Sequence, residues 1–139
     1  PTEKRHWKTL ELMGEEEVIT IRGLEGGIDL STNHPTTIGH YKNNNGSREV
    51  VNPVDFEYAG KDMEWKNIQG WQKSALLALR GEGPLTKSLE WNSGIYFVYA
   101  GLSSNIQEGI EQTKQIIKSG LALKHLEKLI KWREKIQIN

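Results

Sequence analysis

The residues able to carry chemistry in this 139-residue chain are few. There is no cysteine, which excludes a thiol nucleophile, a disulfide scaffold and any Cys-ligated zinc or iron–sulfur centre. Four histidines are present, His6, His34, His40 and His125, and no two stand at the i, i+4 spacing of a helical metal site. His125 falls among lysines on a helix, an ordinary setting for a cation. His34, ahead of Pro35 in a polar loop, is the one histidine in a functional setting. Serine-hydrolase elbows, P-loops and dinucleotide-binding glycine motifs are all absent.

The remaining constellation is Ile21–Leu30, IRGLEGGIDL. Gly23, Gly26 and Gly27 allow backbone N–H groups to approach an anion closely, as a phosphate-cradling nest requires. Arg22 can pair with that anion, and Glu25 with Asp29 can hold a magnesium ion between protein and phosphate. The same string also fits an ordinary turn, with glycines supplying positive φ and the acids facing water. Residue types alone leave both open.

Charge separates function classes less sharply. Eighteen Lys+Arg balance eighteen Asp+Glu, so no overall field favours nucleic acid or an anionic membrane. From Ser104 onward seven basic residues face four acidic ones, a solvated face or an anion-binding surface. Nucleic-acid contacts, if made, fall to Arg22, Lys42 and Arg48 near a sheet edge and to Lys124 and Lys128 near the C-terminus. No apolar run is long enough to span a bilayer, and no signal peptide opens the chain. The expectation is a cytoplasmic protein without a membrane partner. A start at Pro1 reads as a processed or truncated product.

The elements that must position these groups follow from periodicity. Trp7, Leu10 and Met13 predict a short helix over Lys4–Met13 that stops at Gly14. Val18–Ile21 is a β-branched strand running directly into the glycine turn. Ser31–Thr37 is a polar loop. Thr37–Tyr41 and Arg48–Val51 can pair as a hairpin around Asn43-Asn44-Asn45-Gly46, whose Asn-Gly step suits positive φ. Four helices follow. Asn67–Leu79 turns Ile68, Trp71, Ala75, Leu76 and Leu79 to one face. The next begins near Pro84 and Thr86. Asn105–Lys118 is introduced by a Ser104/Gln107 capping box, and Leu121–Ile136 turns Ala122, Leu126, Leu129 and Ile130 inward. The class is α/β, with a strand plus hairpin followed by about four helices. So thin a sheet leaves two open edges, so its completing strands are expected from a missing part of the chain or a second copy.

In order along residues 15–130, several segments resemble the C-terminal part of anthranilate phosphoribosyltransferases. Ile21–Leu30 is similar to their strand ending in His-Gly, a short turn and Leu-Asp-Glu. Asn52-Pro53-Val54-Asp55-Phe56 resembles their Pro-x-Asp/Glu-Phe segment. Leu76–Pro84 looks like their glycine-rich helix end, Trp91–Gly94 stands where their Asn-Ala-Ala helix begins, and Ile106–Leu126 resembles their closing helices. The resemblance implies that residues 1–139 are the C-terminal part of one mixed-sheet α/β domain. The helical domain and diphosphate loop would lie upstream.

It also implies a diphosphate site at Arg22, Gly23, Gly26 and Gly27, with magnesium at Glu25 and Asp29. The chain departs from the pattern: Ile28 stands where the family has the Asp of an Asp-Glu pair, and a cation with one ligand fewer binds more weakly. Arg-Gly-x-Glu-Gly is closer to a paralogous, non-catalytic branch associated with nucleic acid. The expected function is thus a phosphoribosyltransferase-like piece with an impaired magnesium–diphosphate site, inactive alone. The alternatives are a nucleic-acid-binding module and part of an active pentosyltransferase of tryptophan biosynthesis.

Overall fold

The computed structural model describes residues 2–23 and 26–137, which divide into two compact units, Pro1–Asp62 and Met63–Asn139. The first holds helix α1 (Thr2–Leu12) and strands β1 (Glu17–Ile21), β2 (Thr36–Lys42) and β3 (Asn45–Val51), followed by a short 3-10 helix at Pro53–Phe56. The sheet order is β1-β2-β3 and both pairings are antiparallel, Ile21 opposite Ile38 and Gly39 opposite Arg48. This is the α/β arrangement expected, strand and hairpin first and helices after.

Trp7 explains how α1 sits on the sheet. Its ring is buried, stacks on Tyr41 with centroids 5.5 Å apart, and shares a small core with Val18 and half-buried Leu10. An aromatic pair of this kind contributes about 0.5–1.5 kcal/mol beyond its buried area. The seat for the ring is made by Gly39 and Gly46, since a Cβ at either would run into the indole. Met13, at the same three-residue spacing, is exposed, because two such steps carry it about 120° round the helix from Trp7.

Gly46 also corrects the hairpin. The residues with positive φ are Asn43 (50°) and Asn44 (64°), a two-residue turn closed by Lys42 opposite Asn45. Two consecutive left-handed residues match the right-handed strand twist. Asn45-Gly46 is therefore strand, because Gly46 is required beneath Trp7.

The second unit contains α2 (Ile68–Ala78), α3 (Leu85–Tyr99), α4 (Ile106–Lys118) and α5 (Leu121–Gln137). Asn67 caps α2 by accepting from the Gly70 amide at 2.8 Å. Ahead of α4 the cap is Asn105, not Ser104: its Oδ1 accepts from the Glu108 amide and Glu108 accepts from the Ser104 amide, each at 2.9 Å. The cap is thus one residue later than the Ser104/Gln107 pair expected, and the Glu108 side chain reaches back to the residue before it.

Helices α3 and α4 cross in backbone contact. A Cβ on Gly109 would collide with the Gly94 carbonyl, and one on Gly94 would meet the Ile110 backbone. Buried Trp91, Ile95, Ile110 and Ile117 close the core around that crossing. The inward faces expected of α2 and α5 are only partly inward. Ala75 and Leu79 are half-buried on α2, whereas Ile68, Trp71 and Leu76 are exposed; on α5 Ala122 and Leu126 are half-buried and Leu129 and Ile130 exposed. The period of each helix was readable, but which side of the apolar arc is covered depends on tertiary neighbours.

Candidate functional site

β1 delivers the glycine turn. Its pairing with β2 continues one residue past the strand, where the Arg22 amide donates to the Thr37 carbonyl at 3.1 Å. Arg22 itself is exposed. Gly23 is pinched: a Cβ there would sit 2.5 Å from the Gly27 carbonyl oxygen and 2.6 Å from that of Asp29. Only glycine lets the turn fold back so tightly. Gly26 has φ +81°, and Gly26, Gly27, Ile28 and Asp29 are all exposed. Glu25 lies outside the described residues.

The far end of the turn is fixed by residues that pattern reading did not single out. Leu30 is fully buried, and the next two residues are clamped by Asp62. Ser31 Oγ donates to Asp62 Oδ2 at 2.6 Å, and the Thr32 amide donates to Oδ1 at 2.8 Å. Ser31 Oγ in turn accepts from the Asn33 and His34 amides at 2.9 and 3.0 Å. His34 is exposed, its Nε2 3.3 Å from Asn33 Nδ2. A buried Ser-Thr pair in a loop was the available signal, since a buried hydroxyl needs a partner.

The face of the sheet under α1 carries a second network. Trp7 Nε1 donates to Thr20 Oγ1 at 3.2 Å, and Thr20 Oγ1 donates to Glu3 Oε1 at 2.6 Å. Arg48 closes on the other Glu3 oxygen through Nε and Nη2. Burial raises the Glu3 pKa, but hydrogen bonds from Thr20 and Arg48, with the charges of Arg48 and Arg22, more than offset it and hold the carboxyl below its ordinary value.

Strand alternation places Lys42 on the opposite face from Arg48. There Lys42 Nζ and His40 Nε2 each bond Glu17, at 2.9 and 2.6 Å. The Lys42 hydrogen bond, then that from His40, holds the Glu17 carboxyl below its ordinary value. Arg22 and Arg48 thus flank Glu3 on one face, and Lys42 is ion-paired on the other. Lys124 and Lys128 are exposed on α5, in the second unit.

The family resemblance assigns magnesium to Glu25 and Asp29. Among the described residues no three His, Asp or Glu side chains converge. Asp29 is the one described carboxylate of the turn, beside exposed Ile28. Magnesium requires near-octahedral oxygen coordination, so a site at this turn would need Glu25, outside the described residues, or oxygens of a bound phosphate beside Asp29.

No protein-family model matches the chain. Curated relatives do. One from Alkaliphilus metalliredigens is 27% identical over 135 residues, covering 94% of this chain and 40% of the relative. Its name is anthranilate phosphoribosyltransferase. The chain is similar to that enzyme along nearly its whole length. Anthranilate phosphoribosyltransferases from Streptococcus pneumoniae and Methylobacillus flagellatus match at 28% over 131 residues and 24% over 125 residues. These cover 91% and 87% of this chain. The chain therefore spans about two fifths of the length of the anthranilate phosphoribosyltransferases it matches. Among the described residues no helix is long and apolar enough to cross a membrane.

Proposed function

We propose that this chain is part of an anthranilate phosphoribosyltransferase-like protein and that its Arg22–Asp29 turn is the place where the diphosphate of a phosphoribosyl donor is met. The similarity to anthranilate phosphoribosyltransferases over about nine tenths of the chain carries this reading. The turn supports it: Arg22, one residue past the strand, is exposed, as are Gly26 and Gly27, and the two ends of the turn are fixed by β1 and by the Asp62 clamp. The guanidinium offers a forked donor set matched to phosphate oxygens.

The chain's own contribution is recognition and positioning of an anion, and no step is routed through a metal. Ile28 replaces a carboxylate in the segment where the enzymes carry an Asp-Glu pair, so the site is impaired and the chain by itself transfers no phosphoribosyl group. The remaining partners are the part of a longer protein that the relatives possess or a second copy, in a cytoplasmic setting.

The test is Ile28→Asp combined with Asp29→Glu, titrated with pyrophosphate with and without magnesium. A magnesium-dependent gain in affinity is expected; no gain contradicts a decayed transferase site. The nucleic-acid alternative has less support, because Lys42 and Arg48 of its five cations are already ion-paired. An absence of oligonucleotide binding at low salt removes it.

A further inference from the structure

Helix α5 carries an exposed apolar stripe that its own unit leaves uncovered. Leu121, Leu129, Trp132 and Ile136 are 56%, 48%, 62% and 53% exposed. Their spacing, with His125 between the first two, follows a single helical face. Lys124, Lys128, Lys131 and Lys135 form a parallel ridge at i, i+4, i+7 and i+11, all exposed. Trp132 is four residues after Lys128 and three before Lys135, so ridge and stripe adjoin. Arg133, four after Leu129 and three before Ile136, borders the other side of the stripe. Glu127 and Glu134 fall beyond the ridge, away from the stripe. Among the described residues no ion pair engages the four lysines.

The charge selects the occupant. Two copies packed antiparallel along this stripe would set lysine ridge against lysine ridge, a like-charge arrangement that costs affinity. Nucleic acid would use the lysines and one aromatic, but has no use for a stripe that continues through Leu121, Leu129 and Ile136. An apolar stripe carrying a tryptophan, with cations along both borders, is the pattern of a helix lying in a lipid headgroup layer. We propose that α5 docks on an anionic lipid surface, its stripe entering the interface and its lysines meeting the phosphates. It departs from the expectation of no membrane partner, which rested on the balanced overall charge and the lack of a spanning run and not on the local pattern of α5.

Co-sedimentation of the full chain with vesicles of phosphatidylcholine, alone or mixed with phosphatidylglycerol, tests it. Binding is expected on the anionic vesicles and not on the neutral ones. Lys128→Glu with Lys135→Glu lowers the partition coefficient at least about tenfold, as does Leu129→Gln with Trp132→Gln, because each removes half of a two-part attraction. Far-UV circular dichroism checks that the helices persist, and Ile136→Gln, in the last turn of α5, serves if the double stripe variant fails to fold. Overturning results are three: no sedimentation with anionic vesicles, a dimer that forms instead, or stripe variants that bind as well as the parent. The last would leave the lysines acting alone on any polyanion.

Discussion

Thr20 on β1 donates its hydroxyl hydrogen to Glu3 on α1 across 2.6 Å while accepting from Trp7 Nε1 at 3.2 Å. One hydroxyl thus joins a helix carboxylate to the indole that anchors the same helix. Thr20→Val keeps the shape and removes both bonds, leaving Trp7 Nε1 without its acceptor. Unfolding in urea is expected to show a loss of about 1–3 kcal/mol, the range for an unmet buried donor. A change below the error of the measurement contradicts a structural role for this relay.

The same carboxylate makes the first unit acid-sensitive. The Glu3 and Glu17 pKa values both lie below the ordinary 4.5 in the folded chain. A depressed carboxylate stabilises the fold above its unfolded value, and that contribution disappears as pH falls through the folded value. The melting temperature is therefore expected to stay level above pH 4.5 and to drop on further acidification. Glu3→Gln should lower it at neutral pH and flatten the acid limb.

In the second unit the crossing of α3 and α4 admits no Cβ at Gly109. Gly109→Ala gains helix propensity yet forces two backbones apart, and overpacking of this sort costs about 1–3 kcal/mol. Thermal unfolding of the variant is expected at lower temperature. A rise would mean that the helices are less closely packed than the Gly94 contact requires.

Asp62 clamps the loop that follows the glycine turn, with the Thr32 amide 2.8 Å from its carboxylate. Asp62→Ala should speed amide exchange at Thr32, Asn33 and His34, because the second and third of these bond Ser31 Oγ, which itself leans on Asp62. Exchange unchanged at all three would show that the clamp is dispensable.

How much of this was readable beforehand depended on the range of the interaction. The β-branched run at Val18–Ile21, the glycine stop after α1 and the asparagine at the start of α2 are local features, and each stands close to where its residues placed it. The hairpin was readable but its turn was not: Asn-Gly is the stronger local turn signal, and Gly46 answers to Trp7, 39 positions earlier. Asp62 lies 30 residues from Thr32 and Arg48 lies 45 from Glu3, with nothing nearby in the chain to announce either partner. The exposed side of α5 was missed for a related reason. Periodicity shows that a helix has an apolar arc, not which part of it finds a neighbour.

The proposal that the Arg22–Asp29 turn meets a diphosphate is tested most directly by following backbone amide resonances during titration with pyrophosphate. The account predicts shifts concentrated at Gly23, Gly26 and Gly27 that saturate, and that are lost in Arg22→Ala. Resonances of the turn that stay in place while the rest of the chain is folded would contradict it.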